Sequence, residues 1–197
     1  MRTLPSSVLA RASRQSGMLT ASELITDGLN FKQIRQLIAA GLLEKIERGL
    51  YQLPGSFRDE RLELAKRIPK GVFCLHSAAA IHGLSDVVPG THHLAVPSKS
   101  KYVIPSYPPV QLYFWGHSSY QLGTSSYPLE GGEILVYDPE KTICDMIRMR
   151  NKTGMDQVRA VLRAYLEQPG RDLAKLTGYA RRLHTDTYLL PLLMMLT

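Results

Sequence analysis

The stretch Leu19–Pro54, LTASELITDGLNFKQIRQLIAAGLLEKIERGLYQLP, decides the fold of the first part of this chain. Ser22 is a suitable N-cap for a helix that begins near Glu23, because its hydroxyl can accept a bond from an unpaired amide of the first turn. The pair Asp27-Gly28 supplies the turn that a sharp corner between two helices needs. Asn30 is a suitable N-cap for the next helix. These signals predict two short helices joined by a tight turn.

The second helix has two contrasting faces. Its apolar positions recur at helical spacing and predict a buried side made of Phe31, Ile34, Leu37 and Ile38. The opposite side carries side chains that can reach base edges and phosphates, namely Lys32, Gln33, Arg35 and Gln36. Gly41 lies where a glycine commonly ends a helix.

A basic hairpin is expected directly after this helix. Leu43–Leu53 alternates apolar and polar residues, with Arg48-Gly49 at its bend and Lys45 nearby. The order of helix, turn, helix and basic hairpin predicts a winged helix-turn-helix, in which a helix enters the major groove and a hairpin contacts the backbone. The alternative is a small helical unit with a solvated polar face.

Composition limits the class of protein. Among 197 residues, 24 Lys and Arg stand against 17 Asp and Glu, which gives a net charge of +7. That excess is compatible with a polyanionic partner such as DNA. The two cysteines, Cys74 and Cys144, lie in apolar surroundings and predict buried thiols in a reducing compartment. Residues 1–17 lack the apolar centre of a secretory signal, and no apolar run approaches a bilayer span, so we expect a cytoplasmic protein without a membrane partner.

The sequence predicts an α+β chain with two domains. The winged helix-turn-helix occupies residues 1–57, a linker helix occupies 58–70, and a C-terminal α+β domain with a small sheet and C-terminal helices occupies 71–197. Strands are expected at His92–Val96, Val110–Trp115 and Glu133–Tyr137, and turn-rich loops between them. Asp138-Pro139 predicts the start of a helix, and further helices are expected from residue 156 onward.

Three motifs, in this order, resemble the AbiEi-type antitoxins, which are transcriptional regulators of bacterial type IV toxin-antitoxin operons. They are RGLYQLP at 48–54, HSAAAIHGL at 76–84 and YDPEKTICDMI at 137–147. The resemblance implies an N-terminal domain that binds inverted repeats in its own promoter and represses the operon. Because a single winged helix buries only a modest surface, specific binding to double-stranded operator DNA is expected to need two copies, as a homodimer. It also implies a C-terminal domain that opposes a cognate nucleotidyltransferase-like toxin.

The resemblance also assigns the contacts with DNA. Carried over by position, the contacts from the recognition helix are Asn30, Lys32, Gln33, Arg35 and Gln36, and those from the wing are Lys45, Arg48 and Tyr51. No catalytic residue, cofactor or metal ligand is carried over, so we expect a protein that is not an enzyme.

Two clusters raise chemical alternatives. Four of the six histidines lie between His76 and His93, but their spacing differs from the pair four residues apart that a zinc-binding helix uses. The carboxylates Glu133, Asp138, Glu140 and Asp145 raise the alternative of a metal-dependent nuclease with a winged-helix module. Asp138 at a helix start is already explained by the helix dipole.

A third alternative is a protein-interaction module whose winged helix binds a protein partner. Tyrosines cluster around residues 102–127 together with lysines at 99 and 101. Tyr113 and Trp115 are expected to alternate with Phe114 on a strand that packs on both sides. The tyrosines could also stack on single-stranded RNA or form a protein interface.

Overall fold

The computed structural model describes residues 3–196. Met1, Arg2 and Thr197, which the predicted domain ranges include, lie outside the described residues. The chain has the predicted α+β class. It divides into two compact units: the first comprises the chain up to Pro69 together with Pro128–Ile134, and the second comprises Lys70–Tyr127 and the chain from Leu135 onward.

The first unit combines short helices with a small antiparallel sheet. Its elements in chain order are α1 (Ser6–Ser13), β1 (Met18–Thr20), α2 (Ala21–Thr26), α3 (Phe31–Ala39), β2 (Glu44–Glu47), β3 (Leu50–Gln52) and α4 (Glu60–Arg67). The strands are ordered β1-β3-β2, so β3 is central, and it pairs antiparallel with both neighbours. The predicted bend at Arg48-Gly49 joins β2 to β3, and Gly49 adopts a φ of 84° there.

Local capping explains where α3 begins and ends. The predicted N-cap Asn30 is confirmed, since its side chain accepts a hydrogen bond from the amide of Gln33. At the other end Gly41 has a φ of 69°, and the amides of Gly41 and Leu42 bond back to the carbonyls of Ile38 and Leu37. This paired closure is the Schellman arrangement that glycine favours.

Two expectations about this region are wrong. The N-cap of α2 is Thr20 and not Ser22, because Thr20 forms a reciprocal capping box with Glu23 that starts the helix two residues earlier. Phe31 does not join the buried face of α3, since 57% of its surface is exposed. Ile34 and Leu37 are buried as predicted.

The second unit is built around a five-stranded sheet, of which the segment Pro128–Ile134 is counted with the first unit. Its strands are β4 (Val72–Phe73), β5 (His92–Pro97), β6 (Val110–Trp115), β7 (Thr124–Leu129) and β8 (Gly132–Tyr137), ordered β6-β5-β4-β8-β7. β4 is antiparallel to β5 and parallel to β8, and β5 is parallel to β6. The three predicted strands are confirmed as β5, β6 and β8. β7 lies in a stretch that was expected to be a loop.

Helices complete the second unit. They are α5 (Leu75–Ile81), α6 (His117–Gln121), α7 (Pro139–Arg148), α8 (Arg150–Thr153), α9 (Met155–Glu167), α10 (Leu173–Arg182) and α11 (Asp186–Leu196). Asp138 caps α7 as predicted, by accepting a bond of 2.8 Å from the amide of Lys141. The core gathers side chains from the sheet and from α5, α7, α9, α10 and α11, and it includes both cysteines as buried free thiols.

Candidate nucleic-acid interface

The helix α3 presents its polar residues to solvent. Lys32, Gln33 and Arg35 are exposed, and Gln36 is partly exposed. The opposite side holds Ile34 and Leu37 in a cluster with residues from α1, α2 and β3. Burial of that apolar side fixes the rotation of the helix, and so it directs the predicted contact residues outward.

The capping box at the start of α3 limits the chemistry of two predicted contacts. The Oδ1 of Asn30 accepts the amide of Gln33 at 2.9 Å, and the Oε1 of Gln33 accepts the amide of Asn30 at 2.8 Å. Each of these oxygens therefore uses one of its two lone pairs for the backbone. The capping bond fixes the orientation of the Gln33 amide, which keeps its NH₂ group and one lone pair of Oε1 for a base edge.

Gln36 lacks this restriction. Within the part of the chain that the structure describes, its side chain makes no hydrogen bond to the protein. Its amide therefore retains both an acceptor and a donor for a base edge. Of the two glutamines on α3, Gln36 is the one whose side chain is not held by the capping box.

The hairpin β2–β3 meets the prediction only in part. Lys45 and Arg48 are exposed, as a phosphate-contacting wing requires. Tyr51 is 7% exposed and packs in the same cluster as Ile34. Because the core of this unit covers its side chain, Tyr51 lacks the exposure that supports the predicted contacts of Lys45 and Arg48.

Ion pairs hold the two ends of this surface in place. Arg11 of α1 donates two bonds, of 2.7 and 2.8 Å, to the Asp27 carboxylate in the turn before α3. These bonds lower the pKa of Asp27, although partial burial opposes them. Arg67 of α4 contacts Glu47 of β2 at 2.7 Å and the buried Glu63 at 2.5 Å, and Arg58 also pairs with Glu63.

Sequence reasoning missed the role of Arg67. A signal was present in the spacing, because Glu63 and Arg67 are four residues apart on one helix. Nothing in that spacing indicates that Glu63 is fully buried or that Glu47 of the hairpin is the third member. Such a link between distant elements can be read only from the folded structure.

In the second unit, the carboxylates considered for a nuclease have other partners. Asp138 and Glu140 both lie 3.0 Å from the ammonium of Lys175, and Glu140 also accepts the hydroxyl of Tyr165 at 2.7 Å. Asp145 is fully buried and pairs with Lys141 and, at 3.1 Å, with Arg148. Across residues 3–196, no group of three or more His, Cys, Asp or Glu residues is placed to hold a metal ion.

The histidines also have structural surroundings. The His82 ring lies 2.7 Å from the carbonyl of Tyr137 through its Nε2 atom. The rings of His76 and His93 form an edge contact at 5.4 Å between centroids. Burial, reinforced by His76 and His92, lowers the pKa of His93 from 6.5 to about 4, so this ring is neutral near pH 7.

The aromatic residues of β6 alternate between the core and the surface. Trp115 is buried and stacks on Tyr137 at 5.2 Å, with the ammonium of Lys141 over its ring at 4.2 Å. Phe114 faces the other way and is half exposed. The alternation along the strand is as expected, but the expected packing on both sides is wrong, because the side of Phe114 is half exposed.

Comparison with known proteins agrees with the sequence reading of the first unit. Residues 6–54 match the model of a family described as a transcriptional regulator, AbiEi antitoxin. The resemblance inferred from the motifs is confirmed for these residues. The match supports a role as a transcriptional regulator or antitoxin.

The fold has a counterpart among solved structures. The RV2827C protein from Mycobacterium tuberculosis is similar with a TM-score of 0.54 and 17% sequence identity, over 98% of this chain and 83% of that one. At this identity the likeness concerns the fold alone, and it agrees with the α+β arrangement. No protein with a curated description matches the sequence.

No helix within residues 3–196 is both long enough and apolar enough to cross a bilayer.

Proposed function

We propose that this protein is a DNA-binding transcriptional repressor that controls its own toxin-antitoxin operon. The observation that carries the proposal is that α3 and the turn of the β2–β3 hairpin both expose cations and belong to one compact unit. The element order α1-β1-α2-α3-β2-β3 is the order that a winged helix-turn-helix requires. In this proposal α3 is the recognition helix and the hairpin is the wing.

The positive charge on α3 and on the turn of the β2–β3 hairpin is suited to phosphate contacts. Four exposed cations contribute, and they are Lys32, Arg35, Lys45 and Arg48. Two protomers on an inverted repeat would bring eight of them to the DNA. Counterion release then gives a slope of up to about −7 for log K against log salt, or a loss of about 10⁴ in affinity between 50 and 200 mM salt.

Two copies are proposed because a single recognition helix covers only one half-site. A dimer places two such helices in successive major grooves about one helical turn apart. The operator is therefore expected to contain inverted repeats. If the protomers meet on the DNA, the mobility shift should be cooperative. If they associate beforehand, the shifted complex should have dimer stoichiometry from the lowest protein concentration.

The second unit is proposed to act as the antitoxin against a nucleotidyltransferase-like toxin. The family match in the first unit and the motifs of the second unit support this assignment. The motif residues themselves are largely buried, since positions 140–147 of α7 are all in the core. They act as structural residues, and the toxin-opposing surface must be sought among exposed side chains. We further propose that the protein catalyses no reaction, needs no cofactor and acts in the cytoplasm.

The test of repression is a salt-titrated mobility shift with the DNA upstream of the gene and a scrambled duplex of equal length. We expect preferential binding to the upstream DNA, and its loss in the variants Lys32→Ala and Arg35→Ala. Lys99→Ala, which removes an exposed lysine of the second unit, is the matched control. Equal, weak binding to both duplexes would contradict the repressor assignment and favour a protein-interaction module. Nicking of plasmid DNA with added Mg²⁺ or Mn²⁺ would favour the nuclease alternative.

The antitoxin assignment has its own test in cells. The full chain carrying Arg35→Ala is co-expressed with a nucleotidyltransferase-like toxin encoded beside its gene, from a promoter that the protein does not control. Restored growth without operator binding would support an antitoxin role that is separate from repression. Continued toxicity with the wild-type chain would contradict that role.

A further inference from the structure

Phe31 occupies an unusual place for a large aromatic side chain. It is the first residue of α3, and 57% of its surface is exposed, whereas Ile34 and Leu37 on the same helix are almost completely buried. A ring in this position contributes little to the core of the unit. The exposed ring can therefore contact a ligand that binds to α3.

Phe31 lies in the N-terminal turn of α3, the part of a recognition helix that lies deepest in the major groove. Recognition helices contact base edges mainly through residues of their N-terminal turns. Phe31 and Arg35 are four residues apart and lie on the same side of α3, and Lys32 follows directly. An apolar ring is thus placed among cations that attract the phosphate backbone.

The other side chains in these turns are mainly hydrogen-bond donors. Lys32 and Arg35 have no acceptor, and one of the two lone pairs of the Gln33 oxygen is used by the capping box. These groups can read the N7, O6 and O4 acceptors of bases. The major groove presents one apolar group as well, the C5 methyl of thymine, which a donor cannot recognise.

We propose that Phe31 reads thymine methyl groups in each half-site of the operator, through apolar contact in the major groove. This inference rests on the proposed function and adds the base chemistry that the recognition helix selects. Pairing of Phe31 with a second copy of α3 is disfavoured, because it would bring the cations Lys32 and Arg35 of both copies together. DNA phosphates instead neutralise those charges while the ring contacts a base.

The test removes the methyl group without changing base pairing. Operator duplexes containing thymine or uracil throughout are compared for binding to the full-length wild-type protein and to Phe31→Ala, by fluorescence anisotropy at fixed salt. Burial of one methyl is worth about fourfold in affinity, so two half-sites with one contact each give about fifteenfold for the wild type. Phe31→Ala is expected to bind both duplexes with equal affinity.

Two further variants make the result specific. Phe57→Ala removes an exposed phenylalanine of the same unit outside α3, and it should retain the full preference for thymine. Phe31→Leu keeps an apolar side chain and should retain part of that preference. Thermal unfolding of each variant shows whether the protein remains folded.

The possible outcomes separate this inference from the proposed function. If the wild type prefers the operator over a scrambled duplex but binds thymine and uracil operators equally, Phe31 does not read methyl groups and the repressor assignment stands. A preference for thymine that persists in Phe31→Ala would assign methyl recognition to another residue and would overturn the inference. If the wild type shows no preference for the operator, the proposed function fails and this inference fails with it.

Discussion

Replacing Gln33 by Glu should separate the two roles that the structure gives this side chain. A glutamate at the third position of a helix can form the same capping box, because either carboxylate oxygen accepts the amide of Asn30 that now lies 2.8 Å from Oε1. A negative charge there also interacts favourably with the helix dipole, by about 0.3–1 kcal/mol. The Gln33→Glu variant should therefore be as stable as the wild type or slightly more stable.

DNA binding should respond in the opposite way. The substitution removes the NH₂ donor, which is worth about 1 kcal/mol as a net hydrogen bond, and it places a carboxylate beside the phosphates. Over two half-sites the loss is at least about 2 kcal/mol, or about 30-fold in the dissociation constant of the operator complex. Asn30, Lys32 and Arg35 are unchanged, so the effect isolates position 33.

Gln33→Ala is the matched comparison. It removes the capping oxygen, at a cost of about 0.5–1 kcal/mol in the free energy of unfolding, and it removes the donor without adding a charge. The alanine variant should be the less stable of the two, and the glutamate variant should bind DNA more weakly. Thermal unfolding and fluorescence anisotropy with the upstream duplex measure the two quantities. Equal destabilisation by both substitutions would refute the capping box, and wild-type operator affinity in Gln33→Glu would show that position 33 does not face the DNA.

Three further predictions concern the wing, its support and the second unit. Arg48→Ala should weaken binding to all duplexes alike and should make the salt slope of the dimer shallower by about 2, whereas an unchanged slope would show that Arg48 contacts no phosphate. Arg67→Met should lower the free energy of unfolding by about 2–3 kcal/mol, because it leaves the buried Glu63 paired only with Arg58. Glu47→Gln changes the more exposed partner of Arg67 and should lower the free energy of unfolding by less than about 1 kcal/mol. Equal losses for the two variants in denaturant unfolding would contradict this reasoning. The depressed pKa of His93 means that the unfolded chain binds the extra proton, so this residue's contribution to stability is complete above pH 6.5 and is lost as the pH falls towards 4. His93→Phe should flatten the dependence of the melting temperature on pH in that range, and an unaltered profile would exclude His93 as its source.

The sequence determined those features that depend on residues close together in the chain. The cap at Asn30, the glycine end at Gly41 and the bend at Arg48-Gly49 each involve bonds that span only a few residues, and all three are present in the structure. The helical period, which also depends only on neighbouring residues, predicted that Lys32 and Arg35 face outward. The candidate DNA-binding face was therefore largely predictable before the tertiary structure was known.

Where two local solutions competed, the sequence pattern alone did not choose between them. Thr20 and Ser22 can both cap α2, and the reciprocal bond with Glu23 favours Thr20. The residues of β7 resemble a loop because they are rich in Ser and Pro. They form a strand because the neighbouring β8 provides backbone partners in the sheet.

Only the tertiary structure decided which side chains near the candidate site remain exposed. Tyr51 lies on the central strand of a three-stranded sheet and is covered, while Phe31 lies at the edge of the buried face of α3 and is not. Neither outcome follows from periodicity, because burial depends on what neighbouring elements cover. The link from Arg67 to Glu47 has the same origin, since residues far apart in the chain meet only after the helices and strands have packed.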